Sequence, residues 1–446
     1  MITLKDKVVG SYYGMAVGNA MGLSVKSLKP ETIRQLFGSI NEFKDVSSFI
    51  GKGIKHFKMR GLYGCQTQSA LVIGDCLLQN KKLDPNKTSQ LLIKMATNGP
   101  EHYLGTFRHP EKGFFQSISG LVEGSPQISE HNIPDAAFLS MGIPAGLLHR
   151  ERPEVGIHLN IGIGLIMTRN LCEITGLALT GYLASRLLQL ELENNSLVFN
   201  QTESILKDAE IFCQKIETQI RKTAPIIWDQ TPESERRMLE QTIKGLREQW
   251  NTGFNELLSW VCQNASERHK TKITSPAQSH VLSLLPLCLI IVLRDYCGFD
   301  STLTNVLNMG KEAHKTGTLV GTWAGAIYGW HGIPEPWRSG LVNGKEIRIR
   351  GEGLFSRSFP KKAKDIYEME MGLTSKEFEL GKKYFQKSTK FIRPTPRPKL
   401  SWEDDDTNES NLPEKSDTVN RRKFEKDKSK AKKNRRKNSK FNEVDS

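Results

Sequence analysis

Glycine recurs at every fourth position in two stretches of this chain, at Gly14, Gly18 and Gly22 and again at Gly317, Gly321, Gly325 and Gly329. Residues spaced this way share one face of a helix, and a face without side chains lets a neighbouring helix or a ligand come close to the backbone. The rest of the sequence is compatible with helices. From about Val8 to Trp337, apolar helical stretches alternate with loops containing Gly and Pro, and no run of strand-like alternation interrupts them. The segments Ser69–Gln79, Leu171–Leu190, Glu203–Arg221, Glu233–Trp250 and His280–Tyr296 place apolar residues three and four apart, the spacing of a buried or half-buried helix face. The pattern predicts an all-α fold.

Past Trp337 the composition changes. Residues 338–400 are rich in Lys, Arg, Gly and aromatics, with helices expected near Lys362–Met371 and Ser375–Gln386. The run IRPTPRPKL is extended in character, and from Ser401 onward there is almost nothing apolar to bury. The expected organisation is a main domain over 5–340, a C-terminal extension packed on it over 341–395, and a disordered tail over 396–446.

The net charge of +14 raises the question of a nucleic-acid partner, so its location matters. Residues 421–440 carry twelve Lys or Arg against two acids, but residues 401–420 carry seven acids against one Lys. The basic block fits nonspecific contact with a nucleic-acid backbone; the plainer alternative is a solubilising tail partly neutralised by the acids before it. Seven widely spaced cysteines without a C-x-x-C pair suggest neither a disulfide framework nor a zinc ribbon. The longest apolar run, roughly Val281 to Val292, is too short to span a bilayer. A cytoplasmic protein without membrane association is expected.

Four ordered motifs carry a resemblance. The run GSYYGMAVGNAMGLSVK (Gly10–Lys26) is similar to a G-x-x-x-G-x-A-x-G-D-A-x-G helix followed by a Glu, and LYGCQTQSALVIGDCLL (Leu62–Leu78) to a Y-T-D-D-T-x-M-A-L segment. NIPDAAFLSMGIPAGLL (Asn132–Leu148) is similar to a G-N-G-x-x-M-R-x-x-P-x-G-L loop, and MGKEAHKTGTLVGTWAGAIYGWHGIPEPW (Met309–Trp337) to a G-G-D-A-D-T-x-G-A-I-A-G-A block ending in I-P-x-x-W. Together they resemble the ADP-ribosylglycohydrolase family. The resemblance implies an orthogonal multi-helix bundle and a cleft in which carboxylates and hydroxyls hold two Mg²⁺ ions against the ribose hydroxyls of ADP-ribose.

The matching positions depart from that chemistry. The Thr-Asp-Asp triplet falls on Gly64, Cys65 and Gln66, with Thr67 retained; the two Asp of the last motif fall on Glu312 and His314, and its Thr on Lys315. The Asp of the first motif becomes Asn19 and its later Glu becomes Lys26, the Asn and Arg of the third become Ala136 and Met141, and the Thr-His pair of a central helix reads Thr175-Gly176. Two dications without compensating anions repel each other and the two lysines. No cofactor is therefore expected, and Mg²⁺ least of all.

The expected function is a catalytically inactive ADP-ribosylglycohydrolase-like protein with a cleft for ADP-ribose or a related nucleotide, lined by Asn19, Lys26, Gly18, Gly22, Thr67 and Lys315. Lys26 and Lys315 would neutralise a phosphate there, or else point to water. One alternative is a hydrolase with an altered site: Zn²⁺ on Cys65, Glu312 and His314, or a Cys65 thiol activated by His314. Against it stands a plain Glu312–Lys315 helix pair with a hydrogen-bonded His314. The third is a nucleic-acid-associated protein acting through 421–440. His102, His109 and His149 are expected to be ordinary solvated or capped loop histidines.

Overall fold

The computed structural model describes residues 2–80, 82–123, 131–191, 199–294 and 298–389. The chain divides into a unit over Met1–Arg397 and a second over Pro398–Ser446, the latter outside the described residues together with the acidic and basic blocks of the tail.

The described residues form helices joined by loops, with two isolated bridges and no strand. The first seven are α1 (Leu4–Leu23), α2 (Pro30–Phe37), α3 (Cys65–Asn80), α4 (Pro85–Thr97), α5 (Lys112–Glu123), α6 (Ile143–Leu148) and α7 (Pro153–Met167). Then come α8 (Leu171–Leu187), α9 (Phe199–Thr223), α10 (Pro225–Gln230), α11 (Met238–Glu248), α12 (Phe254–His269) and α13 (Val281–Arg294). The last are α14 (Phe299–Leu307), α15 (Ala313–Gly332), α16 (Glu335–Gly340), α17 (Gly344–Ser356) and α18 (Ile366–Thr389). None of them is long and apolar enough to cross a membrane.

Helices α1 and α15 form the centre. Every residue of α1 from Lys7 to Leu23 is buried, as is every residue of α15 from Ala313 to Gly329. They run antiparallel with their glycine stripes facing each other: Gly10 lies against Gly325 and Gly329, Gly14 against Gly321, Gly18 against Gly317 and Gly22 against Ala313. Gly329 takes φ +70°, in the left-handed region that favours glycine, and ends the regular part of α15 there. The glycines at 18 and 22, expected to admit a ligand, instead admit this helix: a Cβ on Gly18 would stand 1.8 Å from the Gly317 carbonyl oxygen. Thr3 closes the start of α1 with a capping box to Asp6.

The C-terminal part differs from the sequence expectation in two places. The two short helices expected near 362–371 and 375–386 are one helix, α18, because Gly372 at the expected break stays helical. Helix α17 has no counterpart in the sequence pattern; its glycines at 344, 351 and 353 blur the apolar periodicity, yet each packs closely, Gly344 against the Tyr13 hydroxyl, Gly351 against Val9 and Gly353 against Pro360. Arg350 of α17 is buried and pairs with Asp75 of α3 at 2.9 Å and with Glu346 at 2.7 Å. The expected helix over 233–250 is shortened to α11 by a 3₁₀ turn at Glu233–Glu235 and a left-handed Arg237. The described cysteines are free thiols, and Cys297 lies outside the described residues.

Candidate functional site

The family-like positions converge where the C-terminal end of α1 meets the first turns of α3 and α15. Asn19 holds them together. Its Oδ1 accepts from the Gly64 amide at 2.7 Å, and its Nδ2 donates to Gln66 Oε1 at 3.3 Å and to the His314 carbonyl at 3.2 Å. Asn19 is thus used up inside the protein, where the sequence suggests ligand contact.

Lys315 is the focus of the site. Its side chain is 2 % exposed, and its ammonium donates to the Asp135 carbonyl at 2.7 Å and to Ser279 Oγ at 2.5 Å. It pairs tightly with Glu111 and lies 3.6 Å from Glu312. The lysine is therefore neither pointing to water nor waiting for a phosphate. Its charge is already met by hard oxygen donors, two of them carboxylates. Lys26 approaches Glu111 from α1's end at 3.7 Å, and His314 Nε2 donates to the same carboxylate. Glu111, Glu312 and Lys26 keep the little exposure that remains, at 10–18 % of their side chains.

Burial and charge oppose each other here. Burial alone would raise Glu111, but Lys315, His314 and Lys26 hold it well below the usual carboxylate range. Glu312 is pushed up to about 7 by burial and by the Glu111 charge. Burial pushes His314 down to about 4 despite Glu111 beside it, so its imidazole is neutral near pH 7. With the proton on Nε2, Nδ1 is an acceptor, and it has no partner among the described residues. Gln66 Nε2 and Thr67 Oγ1 are likewise buried without a partner among the described residues.

Glu111 gives no sequence signal. It sits just before α5, about two hundred residues from Lys315, and neither spacing nor motif connects the two. Its loop is held from both sides: the Arg108 carbonyl accepts from the Cys65 amide at 2.9 Å, and Arg108 pairs with Glu370 of α18 at 2.7 Å with both side chains wholly buried. His109, expected to be an ordinary loop histidine, pairs with Glu377 of α18 at 3.1 Å. Helix α18 thus braces the loop that carries the site's main acid.

The alternative chemistries fare differently. The ligand atoms that cluster are those of Glu111, Glu312 and His314, within 4.8 Å of one another, and Cys65 is not among them. Burial pushes the Cys65 thiol up to about 12, with Glu111 adding to the shift, and Sγ rests against the His109 carbonyl at 3.8 Å. A thiol held protonated in this way is not an activated nucleophile. Nor do these residues fit two Mg²⁺ ions: the oxygen donors surround an ammonium that would have to leave, and one carboxylate is half protonated near neutrality. Ala136 and Met141 are buried packing residues; the Ala136 amide donates to Glu173 at 2.8 Å. Thr175 bonds its own helix at the Leu171 carbonyl.

Two buried acids set an expected pH response. Glu312, at about 7, and Glu173, raised to about 8 by burial and Asp135, both keep their protons longer in the folded state than in the unfolded one. Stability from such groups is complete below the unfolded value near 4.5 and is lost as pH rises through the folded values. Chemical denaturation is expected to show stability falling between about pH 5 and 8, with a shallower fall in Glu173→Gln. An unchanged slope in that variant would assign the response elsewhere.

Residues 1–364 match the ADP-ribosylglycohydrolase family, and the chain belongs to that family. Among solved structures, one described as an ADP-ribosylglycohydrolase-related protein complex aligns with a TM-score of 0.55 at 18% identity, covering 80% of this chain and 99% of that one. At that identity the likeness speaks for the all-α fold alone. No curated protein matches the sequence. Helix α18, which braces the Glu111 loop, begins just beyond the family-matched residues.

Proposed function

We propose that this chain is a non-hydrolysing ADP-ribosylglycohydrolase-like protein in which the lysine ammonium of Lys315 stands where family members hold metal, and whose cleft binds ADP-ribose or a related nucleotide without a cofactor. One observation carries the reading: Lys315 is enclosed by Glu111, Glu312, the Asp135 carbonyl and Ser279 Oγ, the kind of oxygen shell a hard cation takes. A single internal charge satisfies that shell without polarising a ribose hydroxyl or lowering the pKa of a water, the two services a metal would supply.

The binding half of the reading is supported by the polar capacity left over. Buried groups normally find partners, yet Thr67 Oγ1, Gln66 Nε2 and His314 Nδ1 have none among the described residues, and Thr67 is the one retained ligand-type residue of its motif. Lys26, partly exposed at the rim, supplies positive charge for a phosphate. Isothermal titration of the full chain with ADP-ribose is expected to give the same affinity with Mg²⁺ and with EDTA, and no turnover of an ADP-ribosylated peptide in either. Turnover that EDTA abolishes would defeat the proposal, and absence of binding would remove its nucleotide half.

A further inference from the structure

An open cleft of about 460 Å³ lies where the end of α15 meets α16 and the start of α17, with Tyr13, Trp330, Arg338, Leu341, Lys345 and Arg348 in its lining. None of these belongs to the Lys315 cluster. Trp330 stands at the opposite end of α15 from Lys315, about 20 Å away at the helical rise per residue.

Trp330 organises the cleft. Its ring meets Tyr13 edge-on at 4.6 Å between centroids, and two guanidinium groups lie over it, Arg348 at 4.9 Å and Arg338 at 5.4 Å from the ring centre. A guanidinium held on an indole keeps its charge and its capacity to donate to an oxygen acceptor. The two also repel each other, and the carboxylates at hand do not balance them. Arg338 has no ion pair among the described residues, and neither has Lys345, which is exposed in the first turn of α17. Arg348 reaches Glu352 at 3.5 Å, but Lys5 approaches the same oxygen at 3.5 Å. Glu335 also lines the cleft; it is exposed, so water screens it and an anion nearby loses little. Three cations converging on one cleft favour a doubly charged anion, met by charge-assisted hydrogen bonds. The space exceeds what a phosphate group alone requires, and Trp330 and Leu341 offer apolar surface to whatever carries it.

We propose that this cleft binds a small phosphate monoester, with the phosphate among Arg338, Lys345 and Arg348 and its apolar body against Trp330 and Leu341. The test uses phenyl phosphate on the full chain by isothermal titration, with inorganic phosphate as the same charge without the body. Lys345→Glu reverses a charge that no described residue pairs with, and Lys215→Glu makes the same change in net charge on α9, outside the cleft. Phenyl phosphate is expected to bind the wild type saturably and more tightly than inorganic phosphate does. Lys345→Glu is expected to bind it about tenfold or more weaker at an unchanged melting temperature, and Lys215→Glu within about twofold of the wild type. No saturable binding, or inorganic phosphate binding as tightly as the ester, would overturn the proposal. So would equal binding by Lys345→Glu, which would place the phosphate elsewhere, such as beside Lys26, and equal weakening by both reversals, which would reduce the effect to net charge.

Discussion

Gly18→Ala is expected to cost at least about 4 kcal/mol, or roughly 10 °C or more in melting temperature, for the addition of one methyl group. The new Cβ would lie 1.8 Å from the Gly317 carbonyl oxygen and 2.5 Å from its carbon. Both are backbone atoms in the middle of a buried helix, so no rotamer change relieves the overlap; α1 and α15 must move apart along their length. The opposing Gly10–Gly329 and Gly14–Gly321 contacts would open with them. Gly372→Ala supplies the comparison, because that helical glycine has nothing within 4 Å of where the new methyl group would stand, and the exchange should stabilise by up to about 1 kcal/mol. Thermal unfolding followed by far-ultraviolet circular dichroism checks both. A melting point for Gly18→Ala within a few degrees of the wild type would mean the helices are not in backbone contact.

Lys315→Met should be the next most damaging change, at about 3–5 kcal/mol near neutral pH. Methionine fills a similar volume but leaves Glu111 buried, with only Lys26 at 3.7 Å and a neutral His314 near it. Without Lys315 the Glu111 carboxyl moves upward, so its contribution is lost as pH rises and the variant's deficit narrows in acid. The double variant Lys315→Met/Glu111→Gln removes both charges and is expected to recover part of the loss. Denaturant titration of the four proteins measures the coupling. A double variant as unstable as the sum of the single ones would show that Lys315 and Glu111 do not depend on each other, and the lysine-for-metal reading would fall with it.

The same cluster clarifies why sequence positions alone leave the site open. Cys65, Glu312 and His314 are the residue types that suggest a softer metal, but Glu111 takes the third place in the cluster and Lys315 sits among its carboxylates. The Glu312–Lys315 pair expected from their spacing along one helix is present at 3.6 Å, though it is the weaker of the two carboxylate contacts. The partners that matter come from elsewhere: Asp135 lies 180 residues away and Ser279 36. Helix periodicity has no bearing on contacts of that range. The bracing of the Glu111 loop by Glu370 and Glu377 is equally hidden, since acids on a charged helix read as solvated until the helix is seen to bury them.

By itself the sequence determined the helical class and the family, because these are written in local periodicity and in motifs read within a few turns. It also determined that two faces bare of side chains exist. Only the tertiary structure decided that those faces meet each other and that an acid without a motif reaches Lys315. Such outcomes depend on which distant surfaces become neighbours, and that is set by the packing of the whole core.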